Sequence, residues 1–176
     1  MSFSNPKWDT PISMTLKEYF ATPFLIPHEG FVKLVRELEK EIGREKTHKI
    51  VAKVRDDCAR DFAAKLGGGK SFDSFEDFLD NFIPALNSKI GIADASEGYI
   101  EESSDCVLKT IYTSCIYPDI YKEWDAQGIG YLWSCMGDYA IVNAFCERAG
   151  FERPKCLMNG DENCTFCWKW EEDRDA

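Results

Sequence analysis

Residues 128–150 read GIGYLWSCMGDYAIVNAFCERAG, and residues 151–170 read FERPKCLMNGDENCTFCWKW. The first segment predicts a helix, because apolar residues recur at helical spacing without a proline, and the second predicts a β-hairpin. Together they hold five of the eight cysteines and one carboxylate, Asp138, within an otherwise apolar helix. This concentration of reactive side chains makes the stretch the best candidate for a functional site.

The predicted helix spans 130–149, and Gly150 is placed to end it as a C-terminal cap. Cys135 and Asp138 are three residues apart, so they lie on one face of the helix, one turn from each other. A carboxylate on an inward face is costly unless it is paired or used. Asp138 therefore either meets an arginine or caps a loop, or it shares a pocket with the Cys135 thiol.

The predicted hairpin joins strands at 155–159 and 164–170 through a turn rich in Gly, Asp and Asn. Alternation places four residues on the face that we expect to be buried: Cys164, Phe166, Trp168 and Trp170. Cys167 then points to the other face, opposite Cys156. A zinc knuckle needs both sulfurs of a CxxC pair to face one ion, so this pair is weak evidence for zinc.

These motifs resemble those of a known family. Cys115 lies near the end of a predicted strand, Cys135-x-x-Asp138 lies on a helix, and Gly160-Asp161-x-x-Cys164-x-Phe166 lies in the terminal hairpin. This arrangement resembles the L-2-amino-thiazoline-4-carboxylic acid hydrolase family, and the ending is also similar to that of 4-vinyl reductase domains. The first resemblance implies hydrolysis of a carbon–nitrogen bond in a small cyclic amidine, and the second implies binding of a small molecule.

Length and charge limit the classes of partner. The chain has 176 residues, 44% of them apolar, and a formal net charge of −10. These values predict a single domain over 1–176, with a mainly helical half at 1–94 and an α+β half at 95–176 that carries the site. The negative charge argues against nucleic-acid binding and against binding to an anionic membrane. We therefore expect a small-molecule ligand or substrate, with the oligomeric state left open.

The cysteines are expected to be reduced. The N-terminus has no basic segment followed by an apolar run, and no apolar segment approaches the ~20 residues that cross a bilayer. A cytoplasmic protein with free thiols is the prediction.

Periodicity elsewhere predicts helices at 16–22, 27–42, 44–66, 74–84 and after Pro118, and strands at 98–103 and 106–115. On the longest helix, the predicted apolar stripe comprises Ile50, Val51, Val54, Cys58, Phe62 and Leu66. His28 and His48 are flanked by charged residues, so both are expected on the surface.

These elements predict an α+β fold, in which a helical N-terminal half packs on an antiparallel sheet of about four strands with inserted helices. A pocket is expected where the strand end, the 130–149 helix and the hairpin converge. Its predicted walls are Tyr112, Tyr117, Trp133, Phe166 and Trp168. Its predicted polar members are Cys115, Cys135, Asp138 and Cys164.

Two kinds of chemistry suit this pocket. Amidine hydrolysis needs an attacking group and a proton donor for the leaving nitrogen. Cys135 is the favoured thiolate nucleophile, because it shares a helix face with Asp138, which would hold the amidinium or move the proton. The alternative is a binding module without turnover, in which a zinc ion or an iron–sulfur cluster would be held by Cys115, Cys135, Asp138 and Cys164.

Overall fold

A four-stranded antiparallel sheet forms one layer of the computed structural model, which describes residues 28–90 and 96–171. Its strands are β1 (Ser96–Ser103), β2 (Val107–Cys115), β3 (Ala149–Lys155) and β4 (Cys164–Trp170). They are ordered β1-β2-β4-β3, so the strand that comes last in the chain lies inside the sheet. The predicted α+β class and the sheet of about four strands are confirmed.

Within the described residues, three long helices precede the sheet: α1 (His28–Ile42), α2 (Arg44–Lys65) and α3 (Phe75–Ile90). Gly43 separates the first two with φ at 83°, a conformation that glycine adopts at little cost. α3 begins with a side-chain cap, because the Asp77 N–H donates to Ser74 Oγ at 3.1 Å. The predicted helix at 16–22 lies outside the described residues. Among the helices described, none combines the length and apolarity that crossing a membrane requires.

The chain between β2 and β3 is helical but interrupted. It contains α4 (Ile116–Glu123), α5 (Gln127–Gly130), a π-helical turn (Tyr131–Cys135) and α6 (Gly137–Phe145). The predicted continuous helix over 130–149 is therefore wrong, because the π turn interrupts it and α6 ends at Phe145. Gly150 lies within β3 and does not cap the helix, since the backbone is already extended at Cys146, where φ is −147°.

The C-terminal hairpin has a different register from the predicted one. Glu152 of β3 pairs with Cys167 of β4. The predicted strand at 155–159 is wrong, because Leu157–Asn159 forms a 3-10 turn instead. Gly160 ends that turn with φ at 93°. The strand that pairs with β4 thus begins six residues earlier than predicted, at Ala149.

This register separates two cysteines that the predicted hairpin placed opposite each other. Cys156 is 3% exposed and packs in the interior beside Met158. Cys167 lies instead on the other side of the sheet, paired with Lys109 and Glu152. The predicted pairing of Cys156 with Cys167 is therefore wrong.

Two hydrophobic clusters lie between the helices and the sheet. The first joins α2, α3 and α6 to the sheet, and its most buried rings are Phe75, Phe78, Phe82 and Phe145. The second joins α1, α2 and the chain from α4 to the π turn, and it includes Val32, Val35, Val51, Tyr121, Cys156, Met158 and Cys164. Phe166 packs against both clusters. Two of the eight cysteines are thus buried in the second cluster.

The buried face of α2 differs from the predicted stripe. Its buried residues are Thr47, Val51, Ala59 and Ala63. Ile50 and Val54 are each 45% exposed, and Cys58 is exposed as well. The predicted stripe is wrong at these three positions. The small side chains of Ala59 and Ala63 allow α2 to pack closely on α6, so the face that carries them is the buried one.

Two identical substitutions on α2 test this face. Val51→Ala is expected to lower the free energy of unfolding by about 1.5–3 kcal/mol, because Val51 is 5% exposed and its methyl groups fill the core. Val54→Ala is expected to change it by less than about 0.5 kcal/mol. Denaturant titration of both variants measures the difference, and equal losses would contradict the assigned face.

Candidate active site

A buried arginine, Arg153, lies at the centre of the candidate site. Its side chain is 1% exposed and forms an ion pair with Asp138. Its Nη1 donates a hydrogen bond to the Cys135 carbonyl oxygen at 2.9 Å, and its guanidinium lies 4.5 Å from the centre of the Phe166 ring. Arg153 thereby joins β3 to the π turn, to α6 and to β4, the elements that carry three of the four predicted polar residues, Cys135, Asp138 and Cys164.

Three thiols lie together beside this arginine: Cys135, Cys156 and Cys164. The sulfurs of Cys135 and Cys156 are 4.0 Å apart, within hydrogen-bond contact of thiols. The Cys164 sulfur accepts the Leu157 N–H at 3.2 Å, and this thiol also influences the ionisation of Cys156. The structure therefore brings the predicted Cys135 and Cys164 together through Cys156, a residue that the predicted register had placed on the other face.

The three thiols differ in acidity. The pKa of Cys156 is lowered, chiefly because the Cys135 thiol and then the Cys164 thiol hydrogen-bond its sulfur. The pKa values of Cys135 and Cys164 are raised, in each case by the hydrogen bond to Cys156 and then by burial. The positive charge of Arg153 also favours a thiolate at Cys156. These directions favour ionisation of Cys156 over ionisation of Cys135 or Cys164.

A β-bulge turns Cys115 toward the same cluster. The β1 residues Glu97 and Gly98 pair with the β2 residues Ser114 and Tyr112, which leaves one extra residue on β2. A bulge shifts the alternation of side chains beyond it, so Cys115 lies on the side of Tyr112 despite their odd spacing. Burial raises the pKa of Cys115 to about 11, and Asp138 adds to the shift, so this group stays a thiol near neutral pH.

Asp138 forms an ion pair with an arginine, which is one of the roles predicted for it from the sequence. Its Oδ2 pairs with Arg153, whereas its Oδ1 has no hydrogen-bond partner among the described residues. The side chain is 29% exposed. Burial raises the pKa of Asp138, and the charges of Arg153 and Arg55 oppose that effect. One carboxylate oxygen thus stays available to a ligand.

Four of the five predicted wall residues lie in the second cluster with the thiols: Tyr112, Tyr117, Trp133 and Phe166. The Tyr112 and Phe166 rings are 4.9 Å apart between centroids. Trp168 is different, because it is 5% exposed in the first cluster and its ring lies 5.6 Å from that of Phe151. The structure therefore places Trp168 in the core and not beside the thiols.

His28 and Arg55 form a second polar group on the same cluster. The Nδ1 of His28 lies 2.8 Å from the Tyr121 hydroxyl, and its ring lies 6.1 Å from that of Tyr117. Burial and then the charge of Arg55 lower the pKa of His28. Both histidines are half-buried, so neither has the exposed position that was predicted; His48 pairs with a glutamate of α1, 2.6 Å away.

The thiols are not arranged as a metal centre. Within residues 28–90 and 96–171, no group of three or more His, Cys, Asp or Glu side chains is placed to hold a metal ion. The alternative ligand set of Cys115, Cys135, Asp138 and Cys164 is not gathered around one point. Arg153 lies instead among these groups, and its charge would repel a cation there.

Three residues of this site were absent from the predicted set: Arg55, Arg153 and Cys156. The sequence did carry a signal for Arg55. It lies four residues after Val51 and four before Ala59, so helical spacing places it on the buried face of α2. Arg153 and Cys156 depend on the true register of the hairpin, and the sequence carries no comparable signal for them.

The family comparison concerns most of the chain. The model of the L-2-amino-thiazoline-4-carboxylic acid hydrolase family matches residues 23–168. A search of curated proteins gave no match.

Solved structures show a related fold at low sequence identity. The phenol-responsive sensory domain of the transcription activator PoxR, in complex with phenol, has a TM-score of 0.50 and 12% identity; the match covers 80% of this chain and 73% of that chain. Trafficking protein particle complex subunit 3 from Naegleria fowleri, covalently bound to palmitic acid, has a TM-score of 0.49 and 13% identity, with 82% and 95% covered. The first likeness concerns the fold alone, and the second is too weak to support an argument.

The acidity of Cys156 can be measured by alkylation. We expect iodoacetamide to modify Cys156 in the folded protein at pH values below those at which the urea-unfolded chain reacts, because its thiolate is stabilised by the neighbouring thiols. Cys135→Ala should shift this profile upward, since it removes a donor, and Cys135→Ser should shift it less, since a hydroxyl can donate. Mass spectrometry of the peptides resolves the site. A Cys156 profile at or above that of the unfolded chain would contradict the assignment.

The depressed pKa of His28 predicts a pH dependence of stability. The unfolded chain takes up a proton on His28 near pH 6.5, whereas the folded protein resists it, so stability should fall as the pH drops through that range. In His28→Gln the loss of Tm between about pH 7.5 and pH 5.5 should be smaller than in the wild type. His48→Gln, which removes the other histidine of the chain, is the comparison variant. Indistinguishable losses in both variants would show that His28 is not held neutral by the fold.

Proposed function

The chain belongs to the L-2-amino-thiazoline-4-carboxylic acid hydrolase family, and we propose that it hydrolyses a carbon–nitrogen bond in a small cyclic amidine, with Cys156 as the nucleophile. The observation that supports this most is the thiol cluster beside Arg153, in which the Cys156 sulfur lies 4.0 Å from that of Cys135 and the pKa of Cys156 is lowered. A thiolate is the form of cysteine that attacks electrophilic carbon. The proposed nucleophile is therefore Cys156 and not Cys135, which was the nucleophile expected from the sequence.

The proposed reaction has two stages. In the first, Cys156 Sγ forms a bond to the amidine carbon, and the carbon–nitrogen bond breaks while the leaving nitrogen takes a proton from a neighbouring thiol. Cys135 and Cys164 are suited to that donation because their pKa values are raised, which keeps them protonated. In the second stage, water adds to the same carbon, and the bond between this carbon and Cys156 Sγ breaks. One proton from the water returns to the donor thiol, the other goes to the released amine, and the Cys156 thiolate is restored.

The remaining site residues bind and orient the substrate in this proposal. Asp138 Oδ1 is the acceptor available to a protonated amidine, because Oδ2 is occupied by Arg153. Tyr112 and Phe166 supply aromatic surface for a small ring. Cys115 stays protonated beside them and serves as a further hydrogen-bond donor. The cluster combines an acidic thiol, proton donors and a carboxylate, as amidine cleavage requires.

A ligand-binding module without turnover is the second candidate. The phenol-responsive sensory domain has a similar fold, and its ligand is a small aromatic molecule. In this alternative, the aromatic rings and Asp138 would bind the ligand while the thiols remain unreacted. Binding without product formation is the result that would favour it.

The proposal is tested by measuring turnover of 2-amino-thiazoline-4-carboxylate and related cyclic amidines by single-cysteine variants. Cys156→Ser should lower kcat by about a thousandfold or more, because a serine hydroxyl is not ionised near neutral pH. Cys167→Ser is the matched control and should keep wild-type activity, since Cys167 lies across the sheet beside Lys109 and Glu152. Chromatographic quantification of the ring-opened product gives the rates.

Two results would count against the proposal. Wild-type activity in Cys156→Ser would remove the nucleophile assignment. Calorimetric binding of an amidine that the wild type never converts would replace the hydrolase with the binding module.

A further inference from the structure

We propose that Cys135 and Cys156 form a reversible disulfide when a hydroperoxide reaches the thiol cluster, so that this pair is a site of oxidative modification. Its effect on turnover rests on the proposed function, because it regulates the same site, whereas formation of the bond does not. The two residues are 21 positions apart in the sequence, yet their sulfurs lie 4.0 Å from each other. A disulfide bond is about 2.05 Å long, so the sulfurs must approach by about 2 Å.

Both cysteines lie in short, irregular parts of the chain. Cys135 is the last residue of the π turn, and Cys156 lies between the end of β3 and the 3-10 turn at Leu157–Asn159. Neither residue belongs to a strand or to a regular α-helix. An approach of this size, shared between the two side chains, therefore leaves the hydrogen bonds of the sheet in place.

Cys156 is the thiol that the hydroperoxide oxidises first. Its pKa is lowered, chiefly by the Cys135 thiol, whereas the pKa values of Cys135 and Cys164 are raised, chiefly by their contact with Cys156. The charge of Arg153 also favours the Cys156 thiolate. Because oxidation by peroxide follows thiolate character, the first product forms at Cys156.

A small oxidant reaches this thiolate from the side of Cys135. Cys156 itself is 3% exposed, but Cys135 is only half-buried and the neighbouring Asp138 side chain is 29% exposed. This arrangement favours hydrogen peroxide over a bulky organic hydroperoxide.

The reaction has two steps. In the first, the Cys156 thiolate attacks one oxygen of hydrogen peroxide, the oxygen–oxygen bond breaks, and hydroxide leaves, so that Cys156 becomes a sulfenic acid. In the second, the Cys135 sulfur attacks the sulfenic sulfur, the sulfur–oxygen bond breaks, and the thiol proton of Cys135 leaves with that oxygen as water. The pair loses two electrons and the peroxide gains them. Dithiothreitol or reduced glutathione restores both thiols by exchange.

Cys135 is the partner in this bond because Cys164 is held by the sheet. Cys164 lies in β4, inside the sheet, where it pairs with Tyr112 of β2. Its sulfur already accepts the Leu157 N–H at 3.2 Å. Oxidation of the cluster therefore joins Cys156 to Cys135 and leaves Cys164 as a thiol.

Mass mapping of the oxidised protein tests the bond without relying on activity. The reduced full chain is treated with hydrogen peroxide near neutral pH, and the remaining thiols are blocked with N-ethylmaleimide. Digestion with trypsin and with an endoprotease that cleaves before aspartate places Cys135 in residues 125–137 and Cys156 in residues 156–160, each without another cysteine. The expected product is one linked pair of these peptides, which dithiothreitol separates.

Single-cysteine variants identify the two partners. Cys135→Ser should lose the linked pair and accumulate a sulfenic acid on Cys156, which dimedone traps. Cys164→Ser should still form the link. Cys167→Ser is the matched control and should form it as the wild type does, since Cys167 lies on the other side of the sheet. In the wild type, turnover should fall in proportion to the linked fraction, and dithiothreitol should restore it.

The outcomes separate this inference from the hydrolase proposal. In wild-type protein with an unchanged circular dichroism spectrum, a link from Cys156 to Cys164, or oxidation of Cys156 without any link to Cys135, would overturn the modification site. Oxidation confined to the exposed cysteines would overturn it as well. If the link forms but the reduced protein converts no amidine, the modification site stands and the hydrolase proposal falls. If the reduced protein turns over and no link forms, only the modification site falls.

Discussion

The buried ion pair between Arg153 and Asp138 is the interaction on which the site depends. Burying a guanidinium is costly, and removing one member of such a pair leaves an uncompensated charge, which typically costs about 3–5 kcal/mol. Here the cost is offset by the Asp138 carboxylate, the Cys135 carbonyl and the face of the Phe166 ring. These contacts fix the π turn against the hairpin and hold Cys135 at 4.0 Å from Cys156. The acidity of Cys156 follows from that placement.

Two departures from regular structure carry the reactive groups into one cluster. The π turn at Tyr131–Cys135 breaks the helix that would otherwise run into α6, and the bulge in β2 shifts Cys115 to the inner side of the sheet. Both kinds of irregularity recur near functional sites, because each re-aims a side chain that regular geometry would point elsewhere. In this chain they place Cys135 beside Arg153, and Cys115 near Tyr112 and Asp138.

The sequence was sufficient for the fold and for part of the site. The α+β class follows from the helical and strand periodicities of the sequence. The end of β2 at Cys115 was also predictable, because Pro118 favours the start of a helix. The places of Cys156 and Arg153 in the site were not predictable. The turn at Leu157–Asn159 displaces the strand that pairs with β4 toward the N-terminus, and this register depends on tertiary contacts. Arg55 was missed because its neighbours on the buried face are small.

The central claim is that Cys156, activated by its neighbours, forms a covalent bond to the substrate. Single-turnover reactions with excess enzyme, quenched in acid and digested, allow the substrate-derived mass to be assigned to one peptide. The account predicts a transient adduct on the peptide that contains Cys156, appearing before product and absent in Cys156→Ala. An adduct on Cys135 or Cys164 instead, or full product formation by Cys156→Ala, would contradict it.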